Sequence, residues 1–438
     1  MPGQSAVSVR ASVLDGSLDA VEAALADAKR DVLEGTTSLA TIGGVHFARL
    51  LIVPGDADVQ GLSNADVQIP GDADVQGRAI PDSVMYMADL DESPDRHLRA
   101  LSAQAGAVLD AVFSHCEGYP AAPDPAQRYT WLCAHEIVSA ASYVNTIGRG
   151  VEQIVQEAGL HDWLEVYLDA HRSDLSALSP ADVHRSVRTV VEHTPQVRFA
   201  IHPAPTTSTA SRVRALLQVA ASVAVVIVAS PVLLVVGIPW VLAVHVLEMT
   251  DSVSTRRPGA ASVDRLRAQE DQFSYNPFAA VGVIKPGSLR RRTVAIVLRA
   301  IAFSARHVFN KGSLAGVTTI HFARWVVLDD QQRVVFTSYY DGSLESYMDD
   351  FIDKLWWGLN VIFSNGLGYP RTDWLFFGGA RKEQAFKDYL RCHQLGTAVS
   401  YAAYPTLTTS NIINNAEIRA GLTRDLSDVE ASQWLARL

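Results

Sequence analysis

Cysteine is scarce in this chain: Cys116, Cys133 and Cys392 are the only three among 438 residues. They show neither CxxC nor metal-ligand spacing, which argues against a disulfide framework and reads as reduced thiols in a cytosol-facing protein. An excess of positive charge is missing too. The formal net charge is −10, whereas a nucleic-acid binder carries a dominating basic face, so nucleic acid is discounted as a partner. HExxH, clustered His/Cys, a GxSxG nucleophile elbow, a Walker lysine and GxGxxG are all lacking. The first 25 residues carry Asp15, Asp19 and Glu22 where a secretion leader needs a continuous apolar core, so no such leader is expected. Charged residues make up 19% against 48% hydrophobic, which is apolar for a soluble protein but far from a polytopic transporter. The length allows two or three domains with ample core.

What is present is repeated. His46-Phe47-Ala48-Arg49 and His321-Phe322-Ala323-Arg324 each lie in an apolar, strand-like run, and each is followed by a helix pattern ending at Gly118-Tyr119-Pro120 or Gly368-Tyr369-Pro370. Trp131-Leu132 matches Trp374-Leu375. His135 precedes Ser142-Tyr143 as His393 precedes Ser400-Tyr401. Landmarks in a fixed order in two halves indicate an internal duplication.

Along the chain, 16–34 reads as an amphipathic helix, 41–53 as a strand, 84–88 as a strand and 93–113 as a helix. PGDADVQG occurs twice, at 54–61 and 70–77, and reads as a mobile acidic loop at 54–77 grown by local slippage. In the second half, 320–328 and 333–340 form a hairpin across Asp329-Asp330-Gln331-Gln332. Ser343 caps a helix to about 364. A short strand at 374–377, a helix at 381–393 and a strand at 397–404 follow. The expected fold class is α+β: a duplicated ferredoxin-like plait, two antiparallel sheets with helices on one face, plus an apolar membrane-associated helical hairpin. The division is an N-terminal helix (1–40), a first copy (41–160), a helical connector (161–211), an apolar segment (212–250), a linker with a basic amphipathic helix (251–319) and a second copy (320–438).

The apolar segment holds 33 residues without formal charge between Arg214 and Glu248, and about 20 suffice to span a bilayer. Ser230-Pro231 and Gly237-Ile238-Pro239 interrupt it. A single span would separate the two copies, while two full spans need about 40 residues. Arginine flanks it on both sides (Arg212 and Arg214, then Arg256 and Arg257), which places both ends on the cytoplasmic face of the cell membrane. A re-entrant hairpin turning near Pro231–Pro239, with Trp240 at interfacial depth, satisfies all of this. Residues 289–309 carry Arg290, Arg291, Arg292, Arg299 and Arg306 beside an apolar stripe, suited to anionic headgroups or to a core-docked helix with a basic outer face.

Alternation along the second HFAR strand sets Phe322 and Arg324 on one face and His321, Ala323 and Trp325 on the other. Ser338-Tyr339-Tyr340-Asp341-Gly342 leads into the next helix. With the duplicated layout over 41–160 and 320–422, this motif resembles the dimeric α+β barrel superfamily, whose fused-duplicate members include the dye-decolourising peroxidases and chlorite dismutases. The peroxidase motif is Gly-x-x-Asp-Gly; here Ser338 stands at its first glycine. The resemblance implies haem, with His393, then His321, as axial ligand, His135 as the counterpart in the first half, and Asp341 and Arg324 as distal acid and charge stabiliser. Tyr339, Tyr340, Tyr401, Tyr404, Trp356 and Trp357 would be candidates for radical transfer. Three readings stay open: a haem-dependent, peroxidase-like oxidoreductase acting on a lipophilic small molecule from the bilayer, a cofactor-free protein binding membrane lipid or isoprenoid, and a membrane-docked scaffold. Oligomeric state is open as well, a homo-oligomer included.

Overall fold

The computed structural model describes residues 4–55, 80–204, 209–254, 256–309 and 312–438; most of the PGDADVQG loop lies outside them. In chain order the strands are β1 (Ser5–Ser12), β2 (Val45–Val53), β3 (Ser83–Leu90), β4 (Ala141–Val144), β5 (Tyr275–Val283), β6 (Ile320–Leu328), β7 (Arg333–Asp341), β8 (Thr372–Asp373), β9 (Phe377–Gly378) and β10 (Thr397–Ala402). The protein is mixed α and β, with two four-stranded antiparallel sheets ordered β1-β3-β2-β10 and β4-β6-β7-β5.

Each sheet takes its fourth strand from the other half of the chain. β10 pairs with β2, putting Ser400 opposite Arg49; β4 pairs with β6, putting Ser142 opposite Arg324. The crossing segments also stitch the remaining edges. Ile137 donates its amide to the Ser8 carbonyl at 2.7 Å, and Leu395 donates to Ala279 at 2.8 Å. Val9 bridges Glu136 and Ala280 bridges Gln394. The two sheets are thereby stitched to each other at both edges into a barrel-like body, which pairs some of the edge N–H and C=O groups that an open sheet would leave unpaired.

Phe47, Leu51 and Val53 on β2 and Phe322, Val326 and Leu328 on β6 face inward, where they meet Met85, Val281, Val335 and Tyr339. The alternate residues face outward. Ala48 and Leu50 lie under helices Leu18–Leu33, Pro94–Gln104, Gly106–Phe113 and Pro125–Ala134. Ala323 and Trp325 lie under Ser288–His307, Leu344–Phe363 and Glu383–His393. Beyond the barrel, Val151–Ala170, Pro180–His193, Thr409–Gly421 and Asp428–Leu435 pack around Leu164, Val187, Ile418 and Trp434.

Several expectations change. The N-terminal 40 residues are not helix alone: β1 precedes the helix, its Ser/Ala-rich sequence SAVSVRAS giving little apolar contrast. The stretch 251–319 is more than a linker, since it holds β5. Pro277 and Gly282 disguise that strand, and its edge position tolerates a proline that cannot donate to a ladder. The apolar segment is helical from Thr209 to Thr250, its arms Leu217–Pro231 and Leu234–Thr250 bent by 81° to each other. Residues 374–377 are not one short strand: Trp374 and Leu375 have φ of 55° and 63°, forming the turn of the small β8–β9 hairpin. Trp131-Leu132 is therefore no counterpart of Trp374-Leu375. It lies in a helix and is buried, matched by Tyr389-Leu390 in Glu383–His393.

Candidate functional site

At one end of the barrel β2 and β6 each shift register around their histidine, between Val45 and Phe47 and between Ile320 and Phe322. Such an extra residue re-aims its side chain. His321 consequently leaves the face of Ala323 and Trp325, and its ring lies 5.2 Å from that of Phe47, while His46 lies 5.2 Å from Phe322. Each histidine holds an aspartate: His46 Nε2 to Asp91 Oδ1 at 2.8 Å, His321 Nε2 to Asp341 Oδ1 at 2.7 Å. Each aspartate also caps a helix, Asp91 Oδ2 accepting from the Val151 amide at 2.6 Å and Asp341 Oδ2 from Thr409 N and Oγ1 at 2.8 Å. His46 Nδ1 pairs with the Tyr404 hydroxyl at 2.8 Å. Both His46 ring nitrogens are thus committed, and the arrangement ties the barrel to two helices.

Of the residues that the haem resemblance assigned, His321 and Asp341 meet, while Arg324, His135 and His393 each bond elsewhere. Arg324 crosses the barrel to the Val7 and Ala88 carbonyls and to Asp89. Asp341 is spent on His321 and Thr409. His135 and His393 each close a helix by bonding the carbonyl four residues back, Trp131 at 2.8 Å and Tyr389 at 2.7 Å. Burial pushes His393 down to about 4, with the Tyr389 carbonyl opposing. The cavity beside His393 measures about 40 Å³ and is walled by apolar side chains such as Val294, Leu298 and Phe336. Cofactor sites usually need about 300 Å³ or more, so the space beside His393 does not fit a haem. Among the described residues no group of three His, Cys, Asp or Glu is placed to hold a metal ion. Of the proposed radical carriers, Tyr339 is sealed between the sheets and Tyr340 stacks on Tyr347 at 3.9 Å.

The open chemistry lies elsewhere, on a surface that is apolar, aromatic and basic. The Thr209–Thr250 helix exposes Val225, Ile227, Val228, Leu234 and Val235, the last at 74%. Its C-terminal end is anchored. Glu248 is buried and accepts from Thr372 Oγ1 at 2.6 Å and the Leu375 amide at 3.0 Å. His245 stacks on Trp374 at 3.9 Å, and Trp240 Nε1 donates to Thr293 Oγ1 at 3.0 Å. Asp251 joins Lys285 and Arg290, both at 2.7 Å. Burial lowers Lys285, and Asp251 counters it. These anchors hold the turn of the β8–β9 hairpin against the apolar helix with Trp374, Phe376 and Phe377 exposed. Sequence reasoning missed this aromatic turn; the run Trp374-Leu375-Phe376-Phe377 was the available signal, read as a short strand.

Helix Ser288–His307 continues the surface. Arg292, Ile296, Arg299 and Phe303 are exposed on one face, spaced so that they align along it. Between this helix and the barrel a groove of about 250 Å³ is lined by Arg291, Arg299, Val294, Ala295, Leu298 and Val327, among others. No helix among the described residues is by itself long and apolar enough to cross a membrane, and the bent pair meets that length and composition only when its two arms are taken together.

No protein-family model, no curated protein and no solved structure matches the chain.

Proposed function

We propose that the protein docks on a membrane surface, with its barrel as a rigid body outside the bilayer and the Thr209–Thr250 helix lying in it. The observation that carries this reading is the exposure of that helix: aliphatic side chains more than half exposed run from Leu217 to Met249. Water-soluble surfaces rarely leave so large a contiguous apolar face uncovered. The 81° bend at Pro231–Leu234 suits a helix entering and leaving one leaflet, and the exposed Trp374 turn with half-buried Trp240 suits interfacial depth. Arginines on both flanks favour the cytoplasmic face.

The body is best understood as two copies of a ferredoxin-like plait that have exchanged their last strands. Equivalent registers support this, Ser400 against Arg49 and Ser142 against Arg324, as do the paired His–Asp–helix ties. A peroxidase-like oxidoreductase has no comparable support, because Arg324 and His393 hold separate structural bonds and Asp341 is taken up by His321 and Thr409. The scaffold reading needs only the surface described.

Flotation with phosphatidylcholine vesicles tests the proposal. The chain should rise with the vesicles, and Val228→Asp with Val235→Asp should leave it at the bottom. The reading is overturned by a wild-type chain that stays down, by a double variant that still floats, or by cross-linking that shows a second copy covering the helix.

A further inference from the structure

We infer that the groove between helix Ser288–His307 and the barrel is a binding site for one anionic phospholipid drawn from the docked leaflet. The groove's floor is Val294, Ala295, Leu298 and Val327, and two guanidinium groups stand at it, Arg291 and Arg299. Positions 291, 294, 295, 298 and 299 follow one helical stripe, so charge and apolar floor are presented together.

Charge complementarity selects the ligand. Among the described residues neither Arg291 nor Arg299 has an acidic partner. The neighbouring Arg290 shows the alternative, being buried and paired with Asp251. Two free guanidiniums over hydrocarbon suit a phosphate diester, since Arg binds phosphate through paired N–H donors. A volume near 250 Å³ falls just under the ~300 Å³ at which small-ligand pockets usually begin, matching a headgroup and the first part of an acyl chain. Arg299 also belongs to the exposed stripe with Arg292, Ile296 and Phe303, which leads from the groove toward the side of the helix that meets the apolar segment through Thr293 and Trp240. A lipid can therefore pass from the leaflet into the groove along one face. The source of the ligand, though not the site, rests on the membrane-docking proposal.

The test is competition in nonionic detergent: the full chain with equal amounts of phosphatidylglycerol and phosphatidylcholine, read by native mass spectrometry. One phosphatidylglycerol per chain is expected. At about 1 kcal/mol per arginine, Arg291→Gln with Arg299→Gln should reduce the preference roughly 30-fold. Arg198→Gln, an exposed arginine among the outer helices and away from both the groove and its entry stripe, should retain it. Ala295→Phe should expel the lipid by filling the floor without altering charge. Equal adducts of the two lipids, a preference that survives in the double arginine variant, or an equal loss in Arg198→Gln would each overturn the assignment. All these variants should still float with phosphatidylcholine vesicles. A chain that selects phosphatidylglycerol yet never floats keeps the site and removes the docking proposal.

Discussion

Arg49 donates Nη2 to the carbonyl of Ser338 at 2.9 Å, reaching from the first HFAR strand across the barrel to the second sheet. Its Nη1 reaches the Phe278 carbonyl at 2.7 Å, and the guanidinium lies 3.7 Å from the centre of the Tyr339 ring. Arg324 makes the reciprocal crossing to Val7 and Ala88, and it adds an ion pair with Asp89. The two arginines pin the sheets together through main-chain acceptors, so the HFAR repeat encodes a structural device.

That difference in partners sets unequal costs. Arg324→Met strands a largely buried carboxylate, Asp89, and should cost about 3–5 kcal/mol. Arg49→Met leaves only carbonyls unpaired and should cost about 1–3 kcal/mol. Urea denaturation of both variants measures the order; equal midpoints would contradict the assignment of Asp89 as the partner that matters.

The two helix ties should behave alike. Asp91→Ala removes the acceptor of the Val151 amide, and Asp341→Ala that of Thr409. Each should lose about 0.5–2 kcal/mol of stability as a capping residue, plus the loss of its histidine bond. Hydrogen exchange should show faster opening in the first turns of Val151–Ala170 and Thr409–Gly421 respectively, with the remote helix unaffected.

Glu248 governs the aromatic turn. Leu375 and Trp374 sit in the left-handed region that bulky side chains avoid, at about 1–2 kcal/mol each, and the Glu248 carboxylate holds the Leu375 amide. Glu248→Ala should therefore release the turn and expose 372–378 to limited proteolysis, while Glu248→Gln, which keeps an acceptor, should protect it. An uncut Glu248→Ala turn would show that packing of Trp374 on His245 suffices.

Acid should destabilise the fold through two histidines. Burial pushes His97 and His393 down from the ordinary 6.5 to about 4. Below about 6.5 the unfolded chain takes up protons that the folded chain refuses until about 4. Stability is then flat above 6.5 and falls as pH drops through that window, by roughly 3 kcal/mol per histidine at most. Thermal unfolding between pH 7 and 4 reads this slope, and His97→Gln with His393→Gln should flatten it. A slope unchanged in the double variant would place the acid sensitivity elsewhere.

Much of the layout was legible because it rests on local pattern. The hairpin of β6 and β7, with Asp329, Asp330 and Gln331 at positive φ in its turn, lies where alternation and turn residues place it. Ser343 caps its helix through the Ser346 amide, as a serine before an apolar stripe should. β1 and β5 escaped notice because small residues, Pro277 and Gly282 blur the period-two contrast. The site escaped for a different reason. Asp341, Arg324 and His393 carry the right chemistry for a haem site, but Arg324 meets Val7 and Ala88 and Asp341 meets Thr409, partners far along the chain, while His393 closes its own helix.

By itself the sequence determined the duplicated landmarks, the antiparallel hairpins and an apolar segment too long for an ordinary core helix, since each follows from spacing along a few dozen residues. The tertiary structure alone decided that β4 and β10 cross between sheets, that the bulges turn His46 and His321 toward aspartates, and that Trp374, Phe376 and Phe377 face outward beside the bent helix. Those outcomes depend on long-range pairing and on competition for burial, and periodicity within a single strand or helix carries no information about either.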